Sequence, residues 1–224
     1  MNVLESDSIN LTFRGRTILS DIYLRCSSGE VIGLIGRNGS GKSCLMQIIF
    51  GSLKGENQSV RVNGRLHNQP ACKSMVINYL PQNPFLLDYL TLNELIKIFD
   101  LDPEVLAVEE LNGLHKEKLG QLSYGQKRLI EIMTILYAPA QFSLLDEPFS
   151  YLAPKLVQTI VLHIQKQSRR KGIILSDHQY KTVMKTCDRF YLLTNGALRS
   201  IKTLSDLENY RYINPKSEAT EDRE

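Results

Sequence analysis

An α/β fold with a mostly parallel sheet is what this chain of 224 residues predicts, and three observations carry that expectation. The run Gly36-Arg37-Asn38-Gly39-Ser40-Gly41-Lys42-Ser43 reads GxxxxGK[ST] and joins an apolar run, Val31 to Ile35, to a stretch of helical spacing, Cys44 to Phe50. From Leu129 onward, apolar runs short enough for strands alternate with segments of helical period, as they do when helices cover the faces of a parallel sheet. Between Ile9 and Leu24, apolar and polar residues alternate as in half-buried antiparallel strands.

Taken in order, Ile9 to Phe13 and Thr17 to Leu24 are the antiparallel strands, and Ser27 to Glu30 turns into the apolar strand 31–35. The helix after the glycine loop ends at Gly51 and Gly55, residues suited to a left-handed cap. Val60 to Gly64 reads as a short strand and turn. Met75 to Leu80 reads as a buried strand stopped by Pro81-Gln82-Asn83-Pro84. Thr91 and Glu94 have the spacing of a capping box, and Asp102-Pro103 starts another short segment, so residues 85–137 read as a small helical lobe inserted into the core. Leu129, Ile132, Met133 and Leu136 mark one face of a longer helix. Phe142 to Leu145 is a strand running into Asp146-Glu147-Pro148. A helix from Pro154 presents Val157, Ile160, Val161 and Ile164, Gly172 to Leu175 is a strand, and Asn195-Gly196 turns a hairpin between 190–194 and 197–199. Leu204 to Tyr210 closes the fold. The expected organisation is one domain over 1–210, with core 1–84 and 138–203 around the lobe, and a disordered polar tail over 211–224.

The glycine loop carries the first chemical signal. Gly36, Asn38, Gly39, Ser40 and Gly41 free successive backbone N–H groups to curl around a phosphate, and the helix that starts at Lys42-Ser43-Cys44 adds its positive end. Lys42 reaches β- and γ-phosphates, and Ser43 offers a hydroxyl to Mg2+. The second signal is Asp146 at the end of its strand, a carboxylate placed for the same metal, with Glu147 one residue beyond and able to orient an attacking water. An Asp-Glu-Pro after a strand can also be a plain solvated turn. Together the two elements describe a P-loop NTPase core.

Three further pieces, in order along the chain, resemble the ATP-binding cassette family. Leu122-Ser123-Tyr124-Gly125-Gln126 is similar to its LSGGQ signature, Gln82 matches the Q-loop glutamine, and His178 matches the switch histidine. The resemblance covers roughly residues 8 to 203 and is strongest to the lipopolysaccharide-export and branched-chain amino-acid cassettes. It implies ATP and Mg2+ as ligands and a head-to-tail dimer in which Ser123 and the Gly125 N–H cover the nucleotide of a second copy. It also implies Gln82 on the metal and the water, His178 on the γ-phosphate, and Phe13 stacked on adenine, with Tyr23 as a competing ring. Two departures stand out: Tyr124 replaces a glycine, and Ala153 stands where the family ends its D-loop in aspartate. The implied function is the ATPase subunit of a membrane transporter, with a soluble ATPase switch or a weakly active regulatory cassette as alternatives.

Composition limits the partners. A net charge of +3 does not favour nucleic acid, and the run Arg169-Arg170-Lys171 reads as a solvated helix end. No run approaches the ~18 apolar residues of a membrane span. The N-terminus lacks a basic-then-apolar leader, so the expected location is cytoplasmic, on the inner face of the membrane beneath separate permease subunits. The exposed-looking cluster Phe85-Leu86-Leu87 with Tyr89 is the candidate contact for such a permease, or else the lobe's own core. Cys26, Cys44, Cys72 and Cys187 show no CxxC pairing and read as isolated thiols.

Overall fold

The computed structural model describes residues 1–67 and 76–213. Met75 and Cys72 fall outside those residues, as does 214–224 of the expected tail. Strands β1 (Val3–Phe13) and β2 (Arg16–Ser27) pair antiparallel, and β4 (Asn57–Val62) and β5 (Arg65–Leu66) complete a four-stranded sheet ordered β2-β1-β4-β5. A second sheet runs β10-β9-β3-β8-β7-β6, with β3 (Val31–Ile35), β6 (Ile77–Leu80), β7 (Phe142–Asp146), β8 (Gly172–Ser176) and β9 (Arg189–Thr194) parallel. Strand β10 (Ala197–Ile201) folds back on β9 through Asn195 and Gly196, which both have positive φ. Every residue of β3, β7 and β8 is buried. Covered on both faces, such strands have no polar side to alternate with.

Helix α1 (Lys42–Phe50) buries Leu45, Met46, Ile48 and Ile49 in a core shared by the two sheets. The opposite face of the parallel sheet is covered by α3 (Tyr124–Tyr137), α4 (Pro154–Ser168) and α5 (Tyr180–Thr186), and Leu129, Ile132, Met133 and Leu136 are all fully buried there. Between β6 and α3 stand α2 (Leu92–Ile98), opened by the Thr91–Glu94 capping box, and short 3-10 turns, including Pro103–Leu106 after its Asp102 cap. Helix α6 (Leu204–Asn209) follows β10.

Three expectations change. Tyr212 and Ile213 pack against the large core cluster, so the last described residues, expected to begin a tail, are part of the folded body. Lys171 is only 4% exposed, and its ammonium donates to the carbonyls of Leu136 and Ala138 at 2.7 and 3.0 Å. It caps the end of α3 from within and is not a solvated charge. The apolar cluster after the Q-loop splits. Phe85 and Leu86 pack inward with their N–H groups on Glu131, while Leu87 and Tyr89 stay exposed.

Candidate active site

The register of the parallel strands assembles the site. Leu80 pairs with Leu145, and both Asp146 and Leu34 pair with Ser176. The chain therefore leaves β6, β7, β8 and β3 at one level, the carboxyl edge where α/β sheets bind ligands. Gln82, Glu147, His178 and Gly36 lie one or two residues beyond those exits.

Gly39 and Gly41 have φ of 77° and 105°, and a Cβ on Gly41 would lie 2.8 Å from Ile18 Cγ2. Left-handed backbone and close approach together demand glycine there. The loop curls over Lys42, whose ammonium is buried and donates to the carbonyls of Gly36 and Arg37 at 2.7 and 3.3 Å. Burial pulls the Lys42 pKa below the usual lysine value, while the carboxylates of Glu147, Asp146 and Asp177 push it back up. The Ser40 hydroxyl is buried with no hydrogen-bond partner among the described residues. A cradle of glycine backbone, a hydroxyl without a partner and a cation suits a phosphate chain.

A cavity of about 570 Å3 opens beside the loop, lined by Phe13, Ile18, Asn38, Gly39, Gly41, Lys42, Ser43, Cys44, Gln47, Gln82 and Glu147. Phe13 is 63% exposed, with the Arg14 guanidinium 5.5 Å from its ring centre. Tyr23 does not line the cavity. Burial raises the Cys44 thiol pKa, with Asp146 adding to the shift.

Adjacent carboxylates have different partners. Asp146 is buried; its Oδ1 accepts from Ser176 Oγ at 2.6 Å and its Oδ2 from the Tyr79 hydroxyl at 3.1 Å. Burial, with Asp146 next, raises the Tyr79 pKa, which keeps the phenol protonated as a donor. Glu147 Oε2 accepts from Gln82 Nε2 and Ser150 Oγ, both at 3.0 Å, and lies 3.9 Å from His178 Nδ1. Glu147 holds φ of 48°, a conformation costing a non-glycine residue about 1–3 kcal/mol. Its N–H donates to Ser176 O at 2.8 Å, and Arg128 Nη2 donates to the carbonyls of Asp146 and Glu147 at 3.1 and 3.4 Å. Behind His178, buried Asp177 accepts from the N–H groups of Phe149 and Gln179. Burial raises its pKa, against the pull of those two bonds.

Ser43, Asp146 and Gln82 supply hard oxygens. The Gln82 amide nitrogen is on Glu147, so its amide oxygen is not used in that bond. Among the described residues no three His, Cys, Asp or Glu side chains form a cage of their own. The donor set thus suits Mg2+ completed by phosphate and water, the usual habit of that ion.

Ser123 and Gly125 do not line this cavity. Ser123 caps α3, its hydroxyl paired with Gln126 in a capping box. Gly125 is helical, and a Cβ there would lie 2.8 Å from Leu156 Cδ1, so glycine lets α3 approach α4. Tyr124 opens the helix without positive φ, so its side chain imposes no backbone strain.

Sequence reasoning missed the supports. Arg128 and Glu131 are buried and paired at 3.1 Å, with Arg128 Nη1 also on Pro81 O at 2.9 Å. The signal was present as two opposite charges at i and i+3 on a helix of otherwise apolar burial. Tyr79 and Ser176 gave none, because a strand residue's partner depends on register.

Residues 19–150 match the family model described as ABC transporter. The lipopolysaccharide export system ATP-binding protein LptB of Haemophilus influenzae is 29% identical over 93% of this chain and 94% of its own length. LptB of Escherichia coli K12 is 27% identical over 88% and 89%. Among solved structures, the ATP-binding cassette MJ1267 of an ABC transporter superposes with a TM-score of 0.82 at 25% identity, covering 95% of this chain and 99% of that one. An ATP-binding subunit of an ABC transporter gives 0.81, also at 25% identity, over 94% and 93%. With more than half of its length under the family model, this chain belongs to the ABC transporter family and is one of its ATP-binding ATPase subunits.

Proposed function

We propose that residues 1–210 act as one nucleotide-binding domain that hydrolyses ATP between two head-to-tail copies of the chain and so powers a membrane transporter. What supports this most is the common edge: the glycine loop, Gln82, Glu147 and His178 leave four neighbouring parallel strands at one level. Phe13 stacks on adenine, and residues 36–44 hold the phosphates, with Lys42 released from the Gly36 carbonyl to the β/γ oxygens. Ser43, Asp146 and Gln82 would hold Mg2+, which would supply positive charge to those oxygens. Glu147 accepts a hydrogen bond from the attacking water and aligns it with the γ-phosphorus, Gln82 steadies the same water, and His178 donates to the γ-phosphate. Ser123 and the N–H of Gly125 from the second copy close the site, aided by the positive end of α3.

Exposed Leu87 and Tyr89, beside the Q-loop, form the side offered to permease subunits at the inner face of the membrane. No described helix is long and apolar enough to cross a membrane, which suits a subunit that docks on a separate one. The cargo belongs to those subunits.

The test uses Glu147→Gln. With ATP and Mg2+ it should accumulate as a dimer by size-exclusion chromatography with light scattering, while Lys42→Ala should bind no nucleotide and stay monomeric. A Glu147→Gln protein that turns over ATP at the parent rate would remove Glu147 from its role.

A further inference from the structure

Tyr151 holds a costly conformation and, among the described residues, its ring gains a single edge-on contact. Its ring is 88% exposed, and its φ of 61° puts a bulky residue in the left-handed region, at a cost of about 1–3 kcal/mol. The position is nevertheless held firmly from behind. The buried hydroxyl of Ser150 donates to Glu147 Oε2 at 3.0 Å, and the Phe149 N–H donates to Asp177 at 3.0 Å. Among the described residues the ring near it is that of Tyr124, itself 45% exposed, edge-on at 6.4 Å and 82°. The two rings, with Pro84, wall a hollow of about 410 Å3 that also reaches Gln82 and Ser150. Exposed tyrosines held on a rigid base are what interfaces use as anchors.

The complementary group is on the phosphate loop. Arg37 is exposed, its Nη2 donates only to the Arg211 carbonyl, at 2.9 Å, and among the described residues no carboxylate pairs with it. It stands with Arg16 and Arg211 around a hollow of about 630 Å3 whose lining residues include no Asp or Glu. A guanidinium without a carboxylate partner suits an aromatic face.

We propose that Tyr124 and Tyr151 of one copy close on Arg37 of the second copy as an aromatic clamp at the dimer seam. The inference rests on the head-to-tail dimer proposed above. Tyr124 is next to Ser123 and Arg37 next to Gly36, so the approach of the signature to the phosphate loop brings these groups together. Tyr151 is also bonded in sequence to Ser150, which holds Glu147, so the clamp ties closure over the second copy's nucleotide to the carboxylate of its own. This coupling replaces the D-loop aspartate that Ala153 lacks.

The chain contains no tryptophan, so Tyr151→Trp introduces a single indole. In the Glu147→Gln background, ATP with Mg2+ should shift its emission to the blue and shield it from acrylamide, and Arg37→Ala should reduce both effects. Unchanged emission in a sample that light scattering shows to be dimeric overturns the clamp and leaves the dimer standing; a Glu147→Gln parent that never dimerises overturns the dimer itself. A second measurement needs no indole. Arg37→Ala and Tyr151→Ala should each weaken the ATP-dependent dimer about threefold to thirtyfold, the range of a cation–π contact, and the double variant should be no weaker than the worse single one. Any effect of Arg37→Ala on nucleotide binding alone cancels in the cycle. Additive losses would rule the contact out.

Discussion

Asp146 and Glu147 are neighbours in sequence, yet the tasks proposed for them differ because their hydrogen-bond partners differ. Asp146 is pinned by two hydroxyls, one on each oxygen, which would orient the carboxylate proposed for the metal without adding charge. Glu147 is reached by Gln82, Ser150 and, at longer range, His178, groups that can rearrange around a water. Tyr79 is the test of this division. Phenylalanine keeps the ring that packs 5.3 Å from Phe50 and removes the hydroxyl that donates to Asp146 and hydrogen-bonds with the Gln47 side chain. Tyr79→Phe should therefore raise the Mg2+ concentration for half-maximal ATPase about tenfold, the lower end of what losing an outer-shell partner costs, with metal-free ATP binding unchanged. An unaltered Mg2+ titration would show that Ser176 suffices. The residues proposed to touch ligand were legible in the sequence because their spacing along the chain is their signature. Tyr79, Ser176 and Arg128 were not, since their contacts cross strands and helices and exist only once the register is set.

The ends of the elements tell a similar story. Capping boxes at Thr91 and Ser123 could be read directly, because the groups involved lie three residues apart. The alternation in the sequence starts at Ile9, whereas β1 begins at Val3. A register shift between Ser6 and Ile9, with Ser8 at φ of 54°, breaks the period-two pattern there. Lys171 was misread because a lysine after a helix resembles a solvated cap, and the carbonyls it satisfies belong to α3, more than thirty residues away. Helix α4 is where an end is left unfinished. Ala153 sits at its N-cap in an extended conformation with no side chain to bond the first turn. Ala153→Asp should supply that acceptor and stabilise the protein by about 1 kcal/mol. For a chain of this size that is a rise in Tm of about 2–4 °C by calorimetry. No rise would mean that the D-loop geometry keeps the carboxylate from the helix end.

On the scale of the whole molecule, the two-layer core leaves several titratable groups deep inside, and they act in opposite directions with pH. The parallel order of the strands followed from the alternation of apolar runs and helices, but nothing in that alternation revealed which polar groups the layers would enclose. Burial pulls Lys171 down to about 8 from the usual 10.5 and pushes Cys26 up to about 12 from 9.0, with Glu30 adding to the thiol's shift. Cys187 is raised by burial in the same sense. Between pH 8 and 10.5 the unfolded chain holds a proton on Lys171 that the folded chain has released, so stability from this group rises with pH over that window. The thiols do the reverse. Their contribution is fully present below 9, where both states are protonated, and is lost as pH climbs toward 12 and only the unfolded chain ionises. The sum predicts that urea midpoints rise from pH 8 to about 9 and fall beyond it. Lys171→Met flattens the rising limb, leaving only the part that buried Lys42, also lowered by burial, contributes, and leaves the fall. Midpoints for Lys171→Met that track the parent through pH 8 to 9 would show that the two carbonyls of α3 hold the ammonium charged, outweighing its burial.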